Sequence, residues 1–175
     1  MKTEPFVPAW YALHTRSRFE NVVSEGLALK AQDVFLPKIL VKSRRRDRKL
    51  MLRVPLFPGY VFVKTDLNPY TQLDILKTVG VVRFIGNKDG PIAVPQDNIA
   101  SLKIMVSTDN PVSTGTRLKK GDRVMVVNGP FMGVVGTFAR YRGKGRVIVN
   151  IEALGQYAGV EVQAADVEKL PKIMA

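Results

Sequence analysis

The pattern of apolar residues changes abruptly at residues 107–116, and this change most constrains what the chain can fold into. Before this segment, apolar residues recur at helical spacing in some stretches and form strand-like runs in others, which is typical of a mixed domain. After it, short runs rich in valine and isoleucine are separated by glycine-rich turns. The segment STDNPVSTGT itself is polar and turn-prone, and it predicts a flexible linker. We therefore expect one domain over residues 1–106 and a second over residues 117–175.

The first domain is expected to be an α+β sandwich with a mainly antiparallel sheet and the element order βαββ(β)αβα. Ser17 is a candidate N-cap for the first helix because Glu20 follows three residues later. Asn68 and Pro69 open the second helix, and the third is predicted over residues 96–106. Strands are predicted at residues 9–15, 34–41, 50–56, 60–64, 81–85 and 92–94.

The second domain is expected to be a small all-β barrel of the SH3-like kind. Its apolar runs DRVMVV, GVVGTF, RVIVNI and GVEV are β-branched and short. A helical form is disfavoured because glycine in a helix costs about 1 kcal/mol relative to alanine, and proline about 3. Gly129, Gly133, Gly136 and Pro130 would all lie inside such a helix. We expect each domain to fold alone.

Composition excludes several classes of site. The chain contains no cysteine, and its single histidine, His14, cannot build a multi-histidine metal site. No phosphate-binding loop, nucleophile elbow or zinc-protease motif occurs, so we predict neither an enzyme nor a cofactor. No apolar run approaches the length of a membrane span, and residues 1–16 lack the apolar core of a signal peptide. The cytoplasm is the expected location.

The charge of the chain indicates a polyanionic partner. Twenty-seven basic residues against fifteen acidic ones give +12. Residues 42–53 alone carry seven basic residues and one aspartate, a local charge of +6. Because two predicted strands flank this run, it is expected to form the tip of a hairpin. A solvated charged turn is the competing interpretation. The basic residues of the tip are Arg44, Arg45, Arg46, Arg48 and Lys49.

Residues 121–136, GDRVMVVNGPFMGVVG, resemble the KOW motif of transcription elongation factors and some ribosomal proteins. The matching positions are Val124 and Val126 in a strand, then Gly129, Phe131, Gly133 and Gly136. Glycines permit a tight turn and close approach of strands in a small barrel. A generic SH3-like barrel is the alternative.

Three blocks before the linker resemble the NusG N-terminal domain: Trp10-Tyr11, FPGYVFV at residues 57–63, and GVVRFIG at residues 80–86. They occur in the family's order and are followed by the KOW-like half. The resemblance spans residues 9–170, and it identifies the chain as a member of the NusG family. RfaH-like specialised paralogs of that family are the expected subgroup.

The resemblance implies that the N-terminal domain grips the clamp helices of the largest RNA polymerase subunit through an apolar concavity. The matching residues are Tyr11, Phe57, Tyr60 and Phe84. Aromatic anchors suit such a groove because they dominate interface energies. Trp10 and Phe62 are expected in the core, whereas Phe57 is expected on the surface because it lies beside the Pro58–Gly59 break.

The resemblance also implies that the basic hairpin tip approaches upstream DNA and the non-template strand. Arginine and lysine would neutralise phosphates there without reading sequence. Arg16, with His14, is a weaker DNA-binding candidate after the first strand.

In the KOW half, Phe131, Arg140, Arg142 and Lys144 are candidates for contact with RNA or a protein partner. A solvated loop is the alternative interpretation of the basic residues. The family resemblance implies a termination factor or a small-subunit ribosomal protein as partner. The predicted function is regulation of elongation, pausing, termination or antitermination. A ribosome-associated KOW protein that binds ribosomal RNA is the alternative, but it leaves the N-terminal half unexplained.

Overall fold

The computed structural model describes residues 7–30, 32–44, 50–116 and 121–171. The chain divides into two compact units, one of Met1–Pro37 with Val54–Pro95 and the other of Lys38–Arg53 with Gln96–Ala175. The elements in chain order are β1 (Ala9–Thr15), α1 (Glu20–Leu29), β2 (Asp33–Phe35), β3 (Lys38–Lys42), β4 (Met51–Pro55), β5 (Tyr60–Thr65), α2 (Pro69–Leu76), β6 (Val81–Phe84), β7 (Gly86–Asn87), β8 (Gly90–Pro91), β9 (Ala93–Val94), α3 (Gln96–Ser107), β10 (Val112–Thr116), β11 (Arg123–Val126), β12 (Val135–Tyr141), β13 (Lys144–Ile151), β14 (Gln156–Val162) and β15 (Val167–Lys169).

The first unit is built on an antiparallel sheet with the strand order β2-β5-β1-β6, and β9 also pairs with β1. Leu13 lies opposite Val61 on one neighbouring strand and opposite Phe84 on the other. These side chains form one buried cluster with Val23 and Leu27 of α1 and with Ile75 of α2. The helices therefore cover the Leu13 face of the sheet, which confirms the predicted α+β architecture.

The start of α2 agrees with the sequence, whereas the start of α1 does not. Asn68 caps α2 by accepting the N–H of Thr71 at 2.9 Å. The side-chain amide of Asn68 and its backbone N–H both donate to the Asp66 carboxylate. These bonds lower the pKa of Asp66, the side-chain bond more strongly than the backbone bond. Helix α1 begins at Glu20 after Phe19, without a side-chain cap. Ser17 is therefore not the N-cap, because Arg18 turns the chain with a φ of 64° before the helix begins.

Two further predicted segments differ in the structure. The strand expected over residues 34–41 is divided into β2 and β3 at Leu36 and Pro37, because proline has no N–H to continue a ladder. Residues 112–116, which the sequence predicted to be part of a flexible linker, form β10 and pair with β14. β14 pairs with β13 on one side, and β10 pairs with its other edge, which would otherwise leave backbone N–H and C=O groups unpaired.

The second unit contains an antiparallel sheet of six strands in the order β10-β14-β13-β12-β11-β15, here called the C-terminal sheet. Buried side chains alternate along β11, at Val124 and Val126, whereas in β13 the consecutive residues Val147, Ile148 and Val149 are all buried. The prediction of an all-β C-terminal half is confirmed.

Helix α3 packs against β12 and β13 of the C-terminal sheet, although the sequence predicted it to belong to the first domain. The Ser101 hydroxyl accepts the N–H of Val135 at 3.0 Å and donates to its carbonyl at 3.2 Å. The Asn98 amide donates to the carbonyl of Asn150 at 2.9 Å. The β12–β13 pairs end at Thr137. Two residues further, Val135 would face Asn150. Helix α3 therefore supplies hydrogen bonds that the β12–β13 ladder would otherwise make at these residues. Independent folding of the two halves stays a prediction.

Candidate interaction surfaces

At the C-terminal end of β1, the sheet face opposite α1 and α2 brings together three side chains that are far apart in sequence. His14 of β1 lies opposite Tyr60 on one neighbouring strand and opposite Arg83 on the other. Because His14 follows Leu13, it points to the face away from α1 and α2. The rings of His14 and Tyr60 lie 5.7 Å apart at 42°. Both are partly exposed, and Arg83 is exposed. We call this row the His14–Tyr60 surface.

The Pro58–Gly59 turn beside this surface is held by a buried carboxylate. The Glu20 side chain, 7% exposed, accepts the N–H of Gly59 at 2.7 Å, and Thr15 donates its N–H to the Gly59 carbonyl at 2.8 Å. Gly59 has a φ of 86°, a conformation that favours glycine. Glu20 therefore fixes the turn that places Tyr60 next to His14. The expected capping role of Glu20 is replaced by this bond.

The four aromatic residues predicted to bind the polymerase do not converge on one surface. Tyr11 packs against the cluster under α1 and α2, and its ring meets the edge of Phe84 at 6.3 Å. Phe84 is itself buried. Among the four, Tyr60 is the one whose side chain lies on the His14–Tyr60 surface.

The prediction that Phe57 is exposed is wrong. Its side chain is 1% exposed, and its ring packs edge-on against Phe62 at 6.3 Å. Phe62 lies opposite Ala12, on the same face of the sheet as His14. Phe57 therefore belongs to the packing on that face. The expected burial of Trp10 and Phe62 is confirmed.

The candidate DNA-binding residues lie in separate places. Arg16 follows β1 and has an exposed side chain, and its backbone N–H bonds to the Gly80 carbonyl at 2.8 Å. Arg44 is exposed at the end of the β3–β4 hairpin. The remaining tip residues, Arg45, Arg46, Arg48 and Lys49, lie outside the described residues.

Three of the four candidates in the C-terminal half line a groove of about 670 Å³. Phe131 is buried beside it, and Arg140 and Lys144 line its wall. Arg142 does not line the groove but lies in the turn between β12 and β13, with a φ of 50°. Glu161 also lines the groove and pairs with Lys144 at 2.9 Å. This mixture of charges favours a protein surface over RNA, because a carboxylate repels phosphate.

Two kinds of site are not found in the described part of the chain. Residues 7–30, 32–44, 50–116 and 121–171 contain no group of three histidine, cysteine or carboxylate side chains that could hold a metal ion. Among the helices of these same ranges, none is long and apolar enough to cross a membrane.

Comparison with known proteins agrees with this architecture. The family model described as transcription termination factor NusG matches residues 8–103. The transcription termination/antitermination protein NusG of Thermus thermophilus is 29% identical, covering 91% of this chain and 97% of that protein. The protein of the same name from Helicobacter pylori strain J99 is 28% identical, over 92% and 98% respectively. A solved structure of Thermotoga maritima NusG shares the fold, with a TM-score of 0.51 and 22% identity over 96% of this chain and all of that one. The chain therefore belongs to the NusG family.

Proposed function

We propose that this NusG-family chain regulates transcription elongation by binding RNA polymerase through the His14–Tyr60 surface. Its relatives are named as termination and antitermination proteins, and it is not an enzyme. The observation that carries the proposal is a partly exposed aromatic pair, fixed by a buried carboxylate, beside the exposed Arg83. Pre-ordered aromatic and arginine side chains are the residues that dominate protein interfaces.

The family resemblance supports the clamp helices of the largest polymerase subunit as the partner. A helix laid on a shallow surface needs a few anchors that are already ordered. The tilted rings of His14 and Tyr60 offer such anchors. Arg83 adds a cation that would pair with a carboxylate of the partner helix. In this proposal Phe57 acts indirectly: its ring packs against Phe62 and stabilises the face of the sheet that carries His14.

Replacing Tyr60 with alanine is expected to weaken polymerase binding by about 2 kcal/mol, roughly 30-fold in Kd. The loss would follow from removing the exposed ring that stands beside His14. Binding of labelled full-length protein to core polymerase measures it. Tyr70→Ala is the matched control, because Tyr70 is 88% exposed on α2, away from this surface. Equal affinity of the Tyr60 variant and the wild type, with an unchanged circular dichroism spectrum, would refute the assignment.

Affinity purification of the full-length chain tests the function itself. Recovery of polymerase subunits is the expected result. The alternative of a ribosome-associated KOW protein predicts ribosomal RNA without polymerase. The comparisons do not favour that alternative, because the family model matches the N-terminal half of the chain.

We also propose that the basic hairpin tip contacts DNA in the elongation complex. The triple change Arg44→Gln, Arg45→Gln and Arg46→Gln is expected to flatten the dependence of binding on salt. Each lost duplex phosphate contact lowers the log–log slope by about 0.9, so the total change is up to about 2.7. Titrations of a DNA-containing elongation complex at several salt concentrations measure the slope.

Neutralising Lys77, Lys88 and Lys103 together is the charge-matched control, since these lysines are exposed elsewhere on the chain. The control should leave the slope nearly unchanged. Binding of the tip variant to polymerase without DNA should also be preserved. An unaltered slope in the tip variant would mean that the tip is only a solvated charged turn.

The groove beside Phe131 is the proposed contact for a further protein, either a termination factor or a small-subunit ribosomal protein. Its lining combines apolar side chains such as Val126 and Phe131 with charges of both signs, which supports a protein partner. Membership of the RfaH-like subgroup stays a prediction.

A further inference from the structure

The backbone of Gly59 connects the start of α1 to both rings of the His14–Tyr60 surface. Its N–H donates to Glu20 at 2.7 Å, and its carbonyl accepts the N–H of Thr15 at 2.8 Å. Thr15 directly follows His14, and Gly59 directly precedes Tyr60. A Cβ built on Gly59 would lie 3.9 Å from Cδ2 of His14, so the turn also lies beside that ring. The orientation of both rings therefore depends on where Glu20 holds this turn.

A second turn, at Gly80, leads into β6 and Arg83, and it is held in a different way. Gly80 has a φ of 93°, and its carbonyl accepts the N–H of Arg16 at 2.8 Å. A Cβ at this position would lie 2.8 Å from the ring of Phe19 and 2.9 Å from the side chain of Val23. These two side chains at the start of α1 therefore pack directly on the backbone of the turn. Apolar packing and a backbone hydrogen bond hold the strand that carries Arg83.

The position of Glu20 explains why a buried carboxylate is tolerated there. The residue is 7% exposed and is the first of α1, where the unpaired N–H groups of the helix favour a negative charge. Its removal would take the acceptor from the Gly59 N–H, and a partly buried donor without an acceptor is unfavourable. The turn would then move to satisfy that N–H elsewhere, and Tyr60 would move with it.

We propose that Glu20 is a positioning residue for polymerase binding, which acts through Gly59 to hold Tyr60 beside His14. The inference rests on the proposed polymerase contact of the His14–Tyr60 surface. A side chain that is already ordered loses less conformational entropy on binding, so a residue that touches no partner can raise affinity. Arg83 is independent of Glu20 in this proposal, because its strand follows the other turn.

The first test uses NMR spectra of the free full-length protein. His14 is the only histidine of the chain, so its ring signals are unambiguous. Glu20→Ala should shift these signals and weaken the nuclear Overhauser effect between the His14 and Tyr60 rings. Glu20→Gln should retain both features, because the amide oxygen can accept the same N–H. Glu25→Ala is the matched control, since Glu25 is an exposed acid on the same helix, and it should change neither.

The second test is a double-mutant cycle on the binding of labelled full-length protein to core polymerase. Glu20→Ala should weaken binding about 10-fold in the wild type and less than about twofold in the Tyr60→Ala background, as expected for directly coupled residues. In the Arg83→Ala background the full loss should persist. A general loss of folded protein would lower the affinity equally in both backgrounds. The cycle therefore separates positioning from stability.

An equal effect of Glu20→Ala in the Tyr60→Ala and Arg83→Ala backgrounds would overturn the proposal. So would unchanged His14 signals in Glu20→Ala, or a Glu20→Gln protein that binds as weakly as Glu20→Ala. If Tyr60→Ala binds polymerase as the wild type does, the proposed function of the surface fails, and the role of Glu20 in polymerase binding fails with it. Shifted His14 signals in Glu20→Ala would still support the hold of Glu20 on the ring pair in that case.

Discussion

Replacing Phe57 with alanine is expected to lower the free energy of unfolding by about 3–5 kcal/mol. The side chain is 1% exposed and packs edge-on against Phe62, so its removal leaves a cavity under the sheet. That loss is a large fraction of the stability of an ordinary domain. Chemical denaturation, followed by circular dichroism, measures it. Tyr70→Ala, which removes an 88% exposed ring from α2, should change stability by less than about 0.5 kcal/mol.

This result would change how polymerase binding by a Phe57 variant is interpreted. Loss of binding in Phe57→Ala would follow from unfolding of the supporting packing. Phe57→Leu keeps most of the apolar volume, and it is expected to retain binding in proportion to its retained stability. A Phe57→Ala protein with full stability but no polymerase binding would show that the ring is a direct contact, contrary to its burial here.

Replacing Gly136 with valine is expected to destabilise the C-terminal sheet by about 3 kcal/mol or more. Even a Cβ at this position would lie 2.3 Å from the carbonyl oxygen of Ile148. That oxygen belongs to the backbone of β13, whose pairing with β12 and β14 prevents it from moving aside. Thermal or denaturant unfolding, followed by the amide signals of residues 121–171, measures the loss.

Gly143 supplies the control for Gly136. A Cβ at Gly143 would meet no heavy atom within 4 Å, although its φ is 80°. Gly143→Ala should therefore cost only the strain of a left-handed alanine, about 1–2 kcal/mol. If the Gly136 and Gly143 variants lost stability equally, the close approach of β12 and β13 would not be the reason for glycine at position 136.

Local patterns predicted most elements because their causes are local. The β1 strand over residues 9–15 was predicted with its observed bounds, since it is a mostly apolar run that ends at the basic residues Arg16 and Arg18. Asn68 and Pro69 located the start of α2, because a cap and an N1 proline act within one helical turn. The same kind of signal failed at Ser17, where Glu20 was drawn into a bond with Gly59, 39 residues away.

The candidate site depended more strongly on long-range pairing. Tyr11 and His14 are three residues apart on one strand, and so they face opposite sides of the sheet. Their spacing along the strand shows that they lie on opposite faces of the sheet, but it does not show which face α1 and α2 cover. His14 was proposed as a weak DNA candidate, whereas the register places it beside Tyr60 and Arg83. A lone histidine at a strand end carries no signal of such neighbours.

The sequence by itself determined the α+β character of the first half, the all-β character of the second and the basic hairpin, because periodicity, glycine content and charge are properties of short segments. The tertiary structure alone decided that Phe57 is buried, that residues 112–116 join a ladder, and that α3 bonds to Val135 and Asn150. Each of these outcomes depends on a partner that is distant along the chain. Burial and hydrogen bonding of a segment are completed by whatever surface the rest of the fold brings to it.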